Sequence, residues 1–288
     1  MDETEGLRKI LNNLNSKLYS EFQGIEERAK KLSEYTQLYG DTLNGLTHIK
    51  DVESKIDRLI PDSIKNNLTD FELFVLLSAI YLHDIGKIKN YKIHPSVSKE
   101  IIRDFYDKLG INNKHVAETI AQVTYGHGDI IINNLPKEHN VDSYGDINIR
   151  FIAALLRLGD ELSITYQRAP DFIRNLLEEN GIMIDKWNLR ENIAGIIIDP
   201  SSWMIKIQVL SPPANYENQF KKLQDYIQKK LDEIIPILAE KEIYYQRIRL
   251  EIYRDIDDMD VEKIIRERGD VTVDEWRNFY KNTETRQF

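Results

Sequence analysis

Residues 69–87 read TDFELFVLLSAIYLHDIGK, and how this run must be housed decides the fold. Thr69 followed by Glu72 is a capping-box pattern that starts a helix. From Phe71 to Leu82 the side chains are apolar almost all round, which predicts a central, buried helix. It ends at His83, Asp84 and Gly86. Asp84 therefore falls at the negative end of a helix dipole, beside an apolar core. A carboxylate there is costly unless it is paired or bound to a cation.

Working outward, more helices flank this one. Residues 5–38 carry Leu7, Leu11, Leu14, Leu18, Phe22, Ile25, Ala29 and Leu32 at steps of three and four, which predicts one long helix with a narrow seam. That seam packs either on the protein's own body or on a partner or second copy. A second helix is expected from Asp41 or Thr42, with Leu46, Ile49, Val52, Ile56 and Leu59 buried and Pro61 ending it. After the KIKNYK loop, His94-Pro95 opens a helix with proline near its first position, expected to run to Gly110. The next covers about 115–125 and stops at Gly126-His127-Gly128. A polar loop, NNLPKEHNVDSYGD, precedes a strongly apolar helix over about 147–163.

The pattern changes near residue 190. IAGIIID and MIKIQVL, separated by PSSW, read as a β-hairpin. Residues 216–240 form an amphipathic helix, and IYYQRIRLEIYRDI alternates as a strand. The expected fold is mainly α, a helical bundle with a small C-terminal α+β (ββαβ) appendage. The expected divisions are a long N-terminal helix over 1–40, a helical domain over 41–190, the appendage over 191–257, and a charged tail over 258–288.

Bulk properties limit the chemistry. The 288 residues carry 39 basic and 48 acidic side chains, a net charge of -9. This acidic balance argues against gripping long nucleic acid by its phosphates, which needs a basic face. A small phosphorylated molecule is the easier partner. With no cysteine there is neither a disulfide nor a zinc-thiolate site. No apolar run is long enough to span a membrane, and the opening MDETEGLRK has no signal-like core, so a cytoplasmic protein is expected. P-loop, GxGxxG and GxSxG motifs are absent.

Six histidines are present. His48 lies on the buried side of its helix, with Val52 at i+4. Asp160 follows Leu156 by four and Ile152 by eight, so it points inward as Asp84 does. Two inward carboxylates at the ends of core helices need a cation. Arginine or lysine could serve, but the nearby His48 and His83 suit a transition metal. His115 and His139 read as surface residues. Arg157 and Arg168 are candidate bidentate phosphate ligands, with surface salt bridges as the alternative.

The order His48, then His83-Asp84 in YLHDIGK, then Asp160 in ALLRLGDELSITYQR resembles the HD superfamily of metal-dependent phosphohydrolases over about residues 40–170. The resemblance implies an HD-type helical bundle in which His48, His83, Asp84 and Asp160 ligate one divalent ion. It further implies a second ion held by His94 and His127, with Asp84 bridging. Mn, Fe, Co, Ni, Zn and Mg all remain open. It implies that metal-activated water cleaves a phosphate ester, with Asp84 and Lys87 as catalytic residues and Lys87 facing the substrate phosphate. A nucleotide or nucleotide-like substrate is expected. The chain departs from the pattern at Asn44, where similar proteins often have a histidine, and His127 stands alone where two-metal relatives often pair histidines. Asn44 keeps open a nucleotide-sensing or scaffold module with little turnover. A nuclease is a further alternative. The ITYQRAP context and the appendage look most like HD-type domains of bacterial conflict and signalling proteins.

Overall fold

The computed structural model describes residues 6–37, 45–164, 192–210 and 216–254. The fold is mainly helical with a small sheet near the C-terminus, as expected.

The expected long N-terminal helix is two helices, α1 (Leu7–Leu14) and α2 (Ser16–Gln37). Asn15 breaks them. Its backbone is extended, and its N–H closes α1 by donating to the Leu11 carbonyl. Its side-chain oxygen accepts from the Leu18 N–H at 3.1 Å, capping α2. Its amide donates to Asp70 at 2.6 Å. Of the apolar seam, Leu7, Leu11, Leu18, Phe22, Ile25 and Ala29 are buried within the chain's own bundle, while Leu14 is exposed.

Next come α3 (Gly45–Leu59) and a short, unexpected α4 (Asp62–Lys65). The expected start of α3 at Asp41 or Thr42 lies outside the described residues, as does Asn44. The central helix is α5 (Asp70–Leu82), capped reciprocally by Thr69 and Glu72 and buried along its whole length. It packs against α1, α2 and α3. A 3-10 turn, Ile85–Ile88, follows. Then come α6 (His94–Asp104), α7 (Lys114–Tyr125) and α8 (Ile149–Glu161), of which α7 and α8 also pack on α5. Helix α6 ends before Gly110. The chain leaves helical geometry at Phe105 and turns repeatedly until Gly110, whose φ of 83° suits glycine. The polar loop contains a two-stranded antiparallel ladder, β1 (His139–Val141) with β2 (Gly145–Ile147).

The chain falls into two compact units. The first takes residues up to Ser163 and also Lys229–Gln246; the second takes Ile164–Gln228 and the chain from Arg247. The second unit holds the expected hairpin, β3 (Ile193–Asp199) antiparallel to β4 (Met204–Leu210). Helix α9 (Glu217–Ala239) begins there and ends in the first unit. After it β5 (Arg247–Tyr253) lies parallel to β4, giving sheet order β3-β4-β5. Expected strand residues Ile243 and Tyr245 are buried but precede β5. No helix among the described residues is long and apolar enough to cross a membrane.

Candidate metal centre

Five elements of the first unit converge at the C-terminal end of α5. Helix α3 brings His48, the end of α5 brings His83 and Asp84, and α8 brings Asp160. His94 opens α6, and His127 follows α7. Their side-chain atoms form two groups that could each hold an ion: His48, His83 and Asp160, and Asp84, His94 and His127. In the first, the Nε2 atoms of His48 and His83 lie 3.2 Å apart. Asp160 Oδ1 is 3.1 Å from His48 Nε2 and 3.7 Å from His83 Nε2. In the second, the Nε2 atoms of His94 and His127 lie 3.0 Å apart. Asp84 stands between the groups: its Oδ2 is 3.4 Å from His48 Nε2 and 3.5 Å from His83 Nε2, while its Oδ1 is 3.2 Å from His94 Nε2.

The outer nitrogens explain the inward ones. His83 Nδ1 lies 2.8 Å from the Ile80 carbonyl and His94 Nδ1 2.8 Å from that of Tyr91, while His127 Nδ1 meets that of Thr124. A carbonyl only accepts, so each Nδ1 carries a proton and each ring turns its Nε2 inward. His48 leans instead on the Ser163 hydroxyl at 2.9 Å.

Charges follow. Burial opposes ionisation of Asp84, but His83, Lys87 and the neighbouring His48 and His94 hold its carboxyl well below the usual range. Burial likewise opposes charge on Asp160, and His48 and His83 overcome it. Burial pulls His83 down, yet Asp84 and Asp160 raise it above its ordinary value. Burial and His83 push His127 down to about 3, which keeps that ring neutral and able to ligate.

Residues 32–236 match the family model of HD-CE. The chain belongs to the HD-CE family. No match to a curated protein was found.

The donor set of this HD-CE chain fits divalent cations. Bare imidazole nitrogens facing each other at hydrogen-bond distance repel unless a cation or proton lies between them. Asp84 Oδ1 is buried without a satisfied hydrogen bond and turned toward His94 Nε2, an acceptor position that a cation would fill. Imidazole and carboxylate together suit Mn, Fe, Co, Ni or Zn; Mg prefers oxygen.

Lys87 lies beside this centre, its ammonium paired with Asp84 and 5.5 Å from the centre of the Tyr91 ring. Arg157 does not take the expected substrate-facing place. Its side chain is fully buried and donates to the Gly126, Gly128 and Ile130 carbonyls and to Glu233. Arg168 lies outside the described residues. His115 is exposed and pairs with Asp142 at 2.8 Å, away from the centre; His139 is half-buried in β1.

Two supporting serines went unread in the sequence. Ser98 is fully buried; its hydroxyl donates to the His83 carbonyl at 2.6 Å and accepts from the Gly86 N–H at 2.8 Å. Ser163 backs His48. Each sits one helical turn from a ligand, four after His94 and three after Asp160, which was the available signal.

Proposed function

We propose that this chain is a metal-dependent phosphohydrolase acting on a nucleotide or nucleotide-like phosphate ester. The observation that carries the reading is the division of six ligand side chains into two triads with Asp84 between them. Ions held there would supply a water of lowered pKa and a Lewis acid for a phosphoryl oxygen. The chain's own residues would do the rest. Asp84, kept ionised, would reach both ligand groups through its two oxygens. Lys87, now paired with Asp84, would move its ammonium onto a phosphoryl oxygen. Tyr91 is half exposed with its ring 6.1 Å from that of His94, and its aromatic face supports a substrate carrying a planar base. The net charge of -9 supports a small substrate over long nucleic acid.

Metal analysis of protein purified without added ions, followed by a manganese-supplemented phosphoester panel, tests this. Wild type is expected to retain divalent metal and release product. Asp84→Ala is expected to lose most of both, with turnover down at least about 100-fold, the scale on which enzymes lose rate when charge stabilisation is removed. Full metal and activity in Asp84→Ala would sink the site. Nucleotide binding by wild type without product would favour the sensor module that Asn44 suggests.

A further inference from the structure

We propose that Arg157, held by α9, is a positioning residue for His127, and that the clamp they form sets the affinity of the second ligand group. The inference rests on the two-ion reading above.

The loop after α7 contributes His127 but has no regular structure of its own. Residues on both sides of His127 are gripped from α8. The Arg157 guanidinium donates through Nε to the Gly126 carbonyl at 3.0 Å. Through Nη2 it donates to the Gly128 carbonyl at 2.7 Å and the Ile130 carbonyl at 3.0 Å. A lysine could not make this fork, since the planar donors fix three carbonyls in one orientation. The loop also fits too tightly for side chains: a Cβ on Gly126 would sit 2.5 Å from that of Ala153, and one on Gly128 2.7 Å from Pro95 Cγ.

Carbonyls alone leave a buried positive charge without an anion, which is costly. Helix α9 supplies it. Glu233 Oε2 accepts from Arg157 Nη1 at 3.1 Å. Three residues earlier, on the same face of α9, buried Lys230 pairs with Asp129 of the loop. One face thus offers an anion to the clamp and a cation to the loop it holds. Both residues lie on the part of α9 that belongs to the first unit. Arg157 is one turn before Asp160 on α8, so one helix sets a ligand of the first group directly and one of the second through the loop.

Metal ligation tolerates little displacement, and loss of a residue that orients a ligand lowers metal affinity about 10–100-fold. Manganese titration of the apo full chain, by calorimetry and by the spin coupling of adjacent Mn(II) ions, provides the test. Wild type is expected to show two binding events, and His127→Ala to lose one of them. Glu233→Ala is expected to weaken that same event about 10–100-fold and reduce the coupled signal, leaving the other event unchanged. Glu233→Gln, which keeps an acceptor oxygen, should weaken it less. Lys137→Ala breaks a different ion pair, to Glu240 just beyond α9, at 3.1 Å, and should leave both events at wild-type affinity. If His127→Ala loses an event while Glu233→Ala keeps it at full strength, the clamp is overturned and the two-ion reading stands. Equal weakening by Lys137→Ala would also overturn it, reducing the effect to general loosening of α9. A single event in wild type would overturn both.

Discussion

A methyl group on Gly86 has nowhere to go. An added Cβ would stand 2.3 Å from the His94 carbonyl oxygen and 2.5 Å from the Ser98 nitrogen, both backbone atoms of α6. Gly86→Ala must therefore push α6 away from the turn that carries Asp84. The expected cost is about 1–3 kcal/mol, the usual range for overpacking. The second metal-binding event should weaken with it, because His94 moves with α6. Thermal melting and metal titration of the variant check this; wild-type values in both would show that the turn can absorb the methyl. In HDIGK the glycine reads only as a helix stop, since its neighbours from α6 are long-range. His48, His83, Asp84 and Asp160 were legible because each is a chemically marked residue placed inward on an apolar helix, whereas His94 and His127 were reached only through the family resemblance. The partners of Arg157 were not legible, for the opposite reason. It lies three residues before Asp160, but its partners are carbonyls of residues 126, 128 and 130 and a carboxylate at 233, none within reach of a helical pattern.

Among elements, α5 was the most legible, since a run apolar on all sides has one place to go. The break at Asn15 was not, because the heptad-like seam continues across it and only the asparagine's own hydrogen bonds reveal it. The parallel pairing of β5 with β4 is also long-range. The elements around the break are tied by Arg8 of α1. It donates to Glu26 of α2 at 3.0 and 3.1 Å, to Glu53 of α3 at 2.8 Å, and to the Tyr81 hydroxyl of α5. Arg8→Met would leave two carboxylates facing each other. With the arginine side chain 32% exposed, water softens the loss, and about 1–3 kcal/mol is expected, below the range for a fully buried pair. The pH sign follows from Glu26. Burial opposes its charge, but Arg8 and Lys30 hold its carboxyl below the ordinary 4.5. Its contribution is therefore present above the unfolded value and lost as pH falls through the folded one. Denaturant melts at pH 7 and near pH 4 should show wild type losing stability with acid and Arg8→Met losing less of it. Parallel losses in both proteins would remove Glu26 from the account.

At the scale of the whole molecule, the candidate metal centre joins α3, α5, α6, α8 and the loop after α7, so ions held there would act as cross-links of the first unit. Without them, two pairs of Nε2 atoms face each other at 3.2 and 3.0 Å, and carboxylates kept ionised share the space. Only protons can relieve this, and His127 resists protonation because burial and His83 hold it at about 3. A ligand that binds the folded state alone stabilises it by about 2.7 kcal/mol at 100 times its Kd. For a chain of this size that corresponds to a melting shift of about 5–10 °C. Dialysis against a chelator should therefore lower Tm by that amount, and added manganese should restore it. The shift should shrink as pH falls from about 7.5 toward 5.5, since metal must displace protons from imidazole to bind. His48→Ala, which removes a ligand of the first group, should shrink it at every pH. A Tm indifferent to chelator and manganese across that range would mean that the two triads are closed by protons alone, and the cation that their geometry calls for would have to be given up.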